Sequence, residues 1–236
     1  MIAPNAIEHG VLERNVIEVR ERVHLAARES GRSSDDITIV AVSKTVPRSL
    51  VDEAHRLGLA VFGENRVQEA RSKFEGPLPS DLRVHMIGQL QSNKAKTAIG
   101  MFDRIESVDR ISLIDALEGA AARADTLVSV LLQVNIGREP QKSGCFPEQA
   151  LEVIDAIRAA IHLRVDGLMG IAPLLPNPDC ARPYFRELRL LRDSISRDRS
   201  DVDLSVLSMG MSGDFEAAIV EGATHVRIGS AIFGVR

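Results

Sequence analysis

The sequence is poor in cysteine and in aromatic residues. Its 236 residues include two cysteines, one tyrosine and no tryptophan. Cys145 and Cys180 do not form a CxxC pair, and no histidine cluster accompanies them. We therefore expect neither a metal site nor a disulfide framework, and we interpret both cysteines as free thiols of a reducing compartment.

Long apolar runs are also missing. No uncharged apolar stretch approaches the ~18 residues that a membrane-spanning helix needs. Residues 1–10 show no basic start followed by an apolar segment, which is the pattern of a secretory leader. We expect a cytoplasmic protein with no membrane partner, and we assign the first ten residues no role.

The chain has no excess of positive charge. It contains 29 Lys and Arg against 33 Asp and Glu, which gives a net charge of −4, and the basic residues are interleaved with acidic ones. Nucleic acid is therefore not an expected partner. The 44% hydrophobic and 26% charged residues are typical of globular proteins. The length suits one α/β barrel, a fold that commonly takes ~250 residues.

Eight short apolar segments predict strands buried on both faces, as in parallel sheets. They are 37–42, 60–62, 83–87, 104–108, 127–134, 165–171, 202–207 and 226–228. Helical patterns separate them, clearest at 147–161, where Ile161 ends the apolar face, and at 182–196. A further helix, with Leu12, Val16, Val19 and Val23 on one face, precedes the first strand. The pattern predicts a (β/α)8 TIM barrel with an extra N-terminal helix, as a single domain over 1–236. The alternative is an open doubly wound sheet.

Reactive groups of such barrels lie where the strands end at their carboxyl side. Lys44 directly follows the first apolar strand. Partial desolvation there favours a neutral amine that attacks a carbonyl and forms a Schiff base. The alternative is an ordinary solvated lysine at a strand end.

Glycine- and serine-rich turns follow the seventh and eighth predicted strands, at 208–214 and 227–234. These are the two positions at which such barrels commonly bind phosphate through backbone N–H groups. Alternatively, Ser212 or Asp214 caps the next helix.

A phosphate site facing a lysine across the barrel mouth suggests a phosphorylated aldehyde, either pyridoxal phosphate or the sugar phosphate of an aldolase. Arg227 bears on this choice. If it points inward, its guanidinium can donate a hydrogen bond to a pyridine nitrogen without giving up a proton, which leaves the ring a poor electron sink. Direct phosphate binding and a structural ion pair are the other roles open to Arg227.

Several segments, in this order, resemble one known family nearly from end to end. They are 41–44 (AVSK), 62–69 (FGENRVQE), 85–94 (HMIGQLQSNK), 142–144 (KSG), 167–169 (GLM), 207–218 (LSMGMSGDFEAA) and 227–234 (RIGSAIFG). The chain resembles the pyridoxal phosphate homeostasis proteins, which are single-domain relatives of the alanine racemase barrel, PLP fold type III. Val84 and Ser230 depart slightly from the family pattern, and neither change should abolish binding.

The resemblance implies specific residue roles. Lys44 forms the internal aldimine with pyridoxal 5'-phosphate (PLP), and Arg227 meets the pyridine nitrogen. Asn65 and Ser208 line the ring pocket. The phosphate is held by Met211, Ser212, Gly229 and Ser230. The implied function is PLP binding and intracellular PLP homeostasis without established turnover, in a monomer that hands the cofactor to PLP-dependent apo-enzymes.

A PLP-dependent amino-acid racemase is the main alternative, because the arrangement of the lysine and the arginine resembles that class, and an aldolase ranks last. In the racemases that the chain resembles, a tyrosine from a second, β-rich domain and a partner subunit supplies the second acid/base group. Here the sequence ends at Arg236, soon after the eighth predicted strand, so we expect no second domain. Tyr184 lies in a helical pattern and is expected to pack there. We expect His85 to be a structural histidine near the rim.

Overall fold

The computed structural model of the chain describes residues 9–234. Within them, eight parallel strands close into a barrel in sequence order, and β1 pairs with both β2 and β8. The predicted barrel is confirmed, and the open-sheet alternative is wrong. Most of residues 1–10, which carried the prediction about a leader, lie outside the described part.

The strands are β1 (Thr38–Val42), β2 (Val61–Glu64), β3 (Arg83–Met86), β4 (Arg104–Val108), β5 (Val128–Val134), β6 (Leu163–Gly170), β7 (Val206–Met211) and β8 (His225–Ile228). The helices are α1 (His9–Glu29), α2 (Arg48–Arg56), α3 (Val67–Lys73), α4 (Ala95–Ile99), α5 (Ile111–Ala124), α6 (Ala150–Ala159), α7 (Arg182–Asp198), α8 (Phe215–Val220) and α9 (Ser230–Phe233). No helix of residues 9–234 is long and apolar enough to cross a membrane.

The extra N-terminal helix packs on the barrel as its apolar spacing predicts. Leu12, Val16, Val19 and Val23 are all buried in the layer between the helices and the sheet. At its start, the Asn15 side chain donates a hydrogen bond to the Ile232 carbonyl oxygen at 2.9 Å. This contact ties α1 to α9, at the carboxyl end of the barrel.

The seventh strand was placed wrongly from the sequence. It runs over Val206–Met211 rather than 202–207, so Ser208 and Gly210 belong to the strand and not to the turn after it. Pairing with β6 sets this register, with Gly167 opposite Val206 and Met169 opposite Ser208. The second strand likewise extends to Glu64, beyond the predicted 60–62.

The apolar face predicted for 147–161 was too long. Helix α6 ends at Ala159, because Ala160 takes an extended conformation. Ile161 is consequently 82% exposed. Glu118 fixes the chain at the next residue by accepting hydrogen bonds from the backbone and the imidazole of His162. Tyr184 lies on α7 and packs against the core, as expected.

Candidate functional site

A cavity of about 430 Å³ opens at the carboxyl end of the barrel, between β1, β7 and β8. It is lined by Val42, Lys44, Met211, Ser212, Gly213, Arg227, Gly229, Ser230 and Gly234. Six of the eight predicted site residues are in this lining. Asn65 and Ser208 are not. The cavity therefore combines an amine, a guanidinium and a glycine-rich turn, the three groups that the sequence analysis singled out.

Lys44 lies in the turn that follows β1 and is exposed. The expectation that this residue is desolvated by the preceding apolar strand is therefore wrong. Strand residues alternate between the two faces, so Val42 and Lys44 both line the cavity while Ser43 points to the layer outside the barrel. The strand ends at the mouth of the barrel.

Ser212 links the two glycine-rich turns. Its Oγ accepts hydrogen bonds from the backbone N–H groups of Gly229 at 3.1 Å and Ala231 at 3.3 Å. A hydroxyl has two acceptor positions and one proton, so the O–H proton of Ser212 remains available for an anion. This arrangement fits a phosphate group at the cavity.

Asp214 closes the turn that holds Ser212. Its Oδ1 accepts the Met211 N–H at 2.6 Å, and the Met211 carbonyl oxygen accepts the Asp214 N–H at 3.0 Å. Asp214 occupies the N-cap position of α8 but makes no side-chain capping hydrogen bond. The Ser212 hydroxyl accepts from Gly229 and Ala231 instead, so the capping alternative holds for Asp214 by position only and is wrong for Ser212.

Gly229 allows the turn after β8 to lie against β1. A Cβ atom on Gly229 would lie 3.3 Å from the Cβ atom of Val42, which is tighter than most contacts of this kind. A residue without a side chain therefore lets the backbone approach the cavity closely.

Arg227 projects into the barrel from β8 and is buried. Its guanidinium donates to Ser208 Oγ at 2.7 Å and to the Gly170 carbonyl oxygen at 2.8 Å. Ser208 is fully buried behind it and donates in turn to Glu106 Oε2 at 2.6 Å. The structure thus places Ser208 as a support for Arg227, beneath the cavity.

Glu106 and His85 complete the interior cluster. Glu106 Oε1 lies 2.7 Å from His85 Nδ1, and both residues are buried. Burial acts to raise the pKa of Glu106, but the hydrogen bond with His85 and the nearby Arg227 charge together lower it to about 2. The Glu106 carboxylate is therefore ionised and offsets the buried charge of Arg227.

The sequence analysis missed Glu106 and left His85 without a partner. The available signal was a glutamate inside a short β-branched strand, in the segment RIESV at 104–108. An acidic residue in a strand buried on both faces needs a partner.

Asn65 is half-buried at the end of β2, next to the β3–α4 loop rather than in the cavity lining. A Cβ atom on Gly88 would lie 2.4 Å from the Asn65 carbonyl oxygen, so these two backbones are in close contact.

A larger cavity, of about 910 Å³, lies at the opposite end of the barrel, beside α1 and the starts of β1 and β2. It has no glycine-rich turn and no residue of the predicted site. Among residues 9–234, no group of three or more His, Cys, Asp or Glu side chains is placed to hold a metal ion. The carboxyl-end cavity is therefore the candidate site.

Comparison with known proteins gives the same family as the sequence motifs. The family model described as alanine racemase, N-terminal domain, matches residues 18–236. A pyridoxal phosphate homeostasis protein of Aquifex aeolicus is 44% identical over 218 residues, which cover 92% of this chain and 95% of that protein. The chain belongs to the pyridoxal phosphate homeostasis protein family.

A similar protein of known structure has the same fold. The structure of PipY from Synechococcus elongatus with PLP bound superposes with a TM-score of 0.82 at 31% identity, covering 94% of this chain and all of that one. An alanine racemase of Clostridium difficile, at 14% identity and a TM-score of 0.73, shares the fold over 57% of its own length. The likeness to the racemase is therefore one of fold, over part of the racemase's length.

Proposed function

We propose that this chain binds PLP in the cavity at the barrel mouth and helps to keep the intracellular supply of PLP in balance. The observation that carries the proposal is the placement of Lys44, Ser212 and Arg227 in the lining of one cavity of about 430 Å³. PLP supplies an aldehyde that reacts with an amine, a phosphate, and a pyridine ring that can withdraw electrons. The family membership and the PLP-bound relative support the same ligand.

Each group of the ligand has a matching group on the chain. Lys44 supplies the amine for the aldehyde. The Ser212 hydroxyl and the backbone of Met211, Gly229 and Ser230 surround the place for the phosphate. Arg227 is the group for the pyridine nitrogen, with Ser208 behind it, and Asn65 borders the ring side of the mouth.

The charge state of Arg227 decides what it offers to the pyridine nitrogen of the ligand. Burial lowers the pKa of Arg227 while the Glu106 charge opposes that shift, and a guanidinium stays protonated in proteins. It therefore offers a hydrogen bond to the ring nitrogen and no proton. An unprotonated ring is a poor electron sink, but the racemases that the chain resembles share this arrangement of lysine and arginine, so Arg227 alone does not separate binding from racemisation.

The cavity lining lacks a second acid/base group within the described residues. No tyrosine, histidine or carboxylate lines it, and Tyr184 is packed on α7. We therefore propose a PLP-binding and PLP-supplying protein rather than a racemase. It acts as a single-domain monomer in the cytoplasm, and its partners are PLP-dependent apo-enzymes.

Borohydride reduction tests the proposal. Purified protein is incubated with PLP, its visible spectrum is recorded, and any reduced adduct is mapped by mass spectrometry. We expect violet absorption and an adduct on Lys44, both lost in Lys44→Ala and both kept in Lys96→Ala, a control on the surface of α4. The absence of an adduct at Lys44 in the wild type would overturn the proposal. Appreciable interconversion of alanine or serine enantiomers would restore the racemase alternative.

A further inference from the structure

The turn that carries Lys44 is held from outside the barrel by two side chains of α3. The Ser43 carbonyl oxygen accepts a hydrogen bond from Lys73 Nζ at 2.5 Å. The Thr45 backbone N–H donates to Glu69 Oε1. Lys73 and Glu69 lie four residues apart, one turn of the same helix, and Lys73 Nζ also contacts Glu69 Oε1 at 3.2 Å. The residues on both sides of Lys44 are thus bound by one pair of side chains.

The backbone at this turn is strained. Thr45 has a φ of +61°, a left-handed conformation that is unfavourable for a β-branched residue. Such a conformation persists only where surrounding contacts fix it. The hydrogen bonds from α3 are contacts of this kind.

Lys73 is itself fixed by a buried carboxylate. Its side chain is 6% exposed and lies 2.6 Å from Oε1 of Glu64, which is fully buried on β2. The same oxygen accepts the Ser43 hydroxyl at 2.6 Å. Burial raises the pKa of Glu64, while the Lys73 hydrogen bond and charge oppose that rise. Glu64 Oε2 is buried with no hydrogen-bond partner, so Lys73 is the main compensating group.

These contacts join β1, β2 and α3 beneath the mouth of the barrel. Because Val42 and Lys44 face the cavity and Ser43 faces outward, hydrogen bonds to Ser43 and Thr45 set the direction of the Lys44 side chain without occupying the cavity. A rigid turn keeps the amine within reach of a ligand held at Ser212 and Gly229.

We propose that Lys73 and Glu69 are positioning residues for Lys44, which hold its turn in the conformation that presents the amine to the aldehyde of PLP. The inference rests on the proposed function. In the condensation, the neutral amine attacks the aldehyde carbon, a C=N bond replaces the C=O bond, and the oxygen leaves as one water molecule. Lys73 and Glu69 touch neither reactant.

Two ligands separate positioning from general stability. PLP carries the aldehyde, whereas pyridoxine 5'-phosphate carries an alcohol at that position and cannot condense with Lys44. The affinity for each is measured by titration for the wild type, Glu69→Gln and the double variant Lys73→Met/Glu64→Gln, which removes both buried charges together. Asp193→Asn is the matched control, because it weakens the Arg192–Asp193 ion pair on α7, away from α3.

We expect the affinity for PLP to fall about tenfold or more in both α3 variants, because small displacements of a reacting group are costly. The affinity for pyridoxine 5'-phosphate should change less than about twofold, since it depends on the phosphate and ring contacts. Asp193→Asn should leave both affinities unchanged. Equal losses for the two ligands, or no loss for either, would overturn the positioning role.

The variant Lys44→Ala tests the proposed function, on which the positioning role rests. In Lys44→Ala, the preference for PLP over pyridoxine 5'-phosphate should disappear. If the preference persists in Lys44→Ala, the proposed function fails. If it disappears there but is unchanged in the α3 variants, only the positioning role fails. Melting temperatures of all variants show whether each protein is folded during the titration.

Discussion

Arg227 on β8 and Glu106 on β4 are joined across the barrel interior through one hydroxyl. Arg227 donates to Ser208 Oγ at 2.7 Å, and Ser208 donates to Glu106 Oε2 at 2.6 Å. All three residues are buried. The guanidinium at the base of the cavity therefore owes its orientation and its charge compensation to a carboxylate that does not line the cavity.

Replacing Glu106 by glutamine should destabilise the fold strongly. The change leaves the buried Arg227 charge without its counter-charge and weakens the hydrogen bonds with Ser208 and His85. We expect a loss of about 3–5 kcal/mol in the free energy of unfolding, the usual cost of breaking a buried ion pair. Urea unfolding at pH 7 measures it.

Glu216→Gln is the matched control for that change. Glu216 pairs with Arg22 at the surface, with side chains 37% and 35% exposed. An exposed pair contributes little, so we expect a loss below about 1 kcal/mol. Similar losses for the two variants would show that Glu106 does not compensate a buried charge.

Lowering the pH should destabilise the protein because of His225, at pH values where most carboxylates are still ionised. Burial lowers the pKa of His225 from 6.5 to about 4. The Glu106 charge opposes this shift, and the charge of Arg104, whose Nη1 lies 3.2 Å from His225 Nε2, adds to it. Between pH 6.5 and about pH 4, His225 takes up a proton in the unfolded chain but not in the folded chain, so the free energy of unfolding decreases as the pH falls. The contribution at pH 5 is on the order of 2 kcal/mol relative to pH 7.5.

Urea unfolding at pH 7.5 and pH 5 checks this for the wild type and His225→Asn. The variant should lose less stability between the two pH values. His24→Asn, at an exposed position of α1, should behave like the wild type. Parallel pH dependence of the wild type and His225→Asn would refute the assignment.

Adding a methyl group at Gly88 should disturb the mouth of the barrel. The new Cβ would lie 2.4 Å from the carbonyl oxygen and 2.7 Å from the Cα of Asn65, and both atoms are backbone. We expect Gly88→Ala to cost about 1–3 kcal/mol, as overpacking does. Gly100→Ala is the control, because no atom lies within 4 Å of its added Cβ. Thermal unfolding of both variants measures the difference, and equal stability would contradict the close contact.

The two cysteines should differ in reactivity. Cys145 is buried, and burial together with the Asp109 charge raises its pKa to about 12. Cys180 is exposed in a short turn before α7. Iodoacetamide at pH 8 should therefore label Cys180 and leave Cys145 unmodified, since the thiolate is the reacting form. Peptide mass mapping gives the site, Cys180→Ser should remain unlabelled while folded, and urea should expose Cys145. Rapid labelling of Cys145 in folded protein would contradict the prediction.

Local patterns were sufficient for the architecture. Strands without polar alternation, such as 37–42, indicated parallel strands covered on both faces, and the spacing of Leu12, Val16, Val19 and Val23 gave the face of α1. Patterns failed at element ends. Strand β7 begins four residues later than predicted because its register depends on β6, and Ile161 falls outside α6 because Ala160 is extended.

The candidate site, like the fold, was predicted from the sequence in part. The sequence placed Lys44 at the end of a strand and the glycine- and serine-rich turns after the last two strands, because barrel geometry brings all carboxyl ends of the strands to one mouth. It predicted wrongly that Lys44 is desolvated, since exposure at an open mouth depends on which loops cover it.

The amino-acid sequence alone determined the order of the strands, the parallel barrel and the residues that follow each strand. These features depend on spacings of a few residues. The tertiary structure decided which distant side chains contact and support the site residues at the strand ends. Lys73 meets Ser43 from 30 positions away, and Glu106 meets Ser208 from 102 positions away. A buried charge needs a partner, but only the closed barrel, which brings distant strands and helices together, selects the partner.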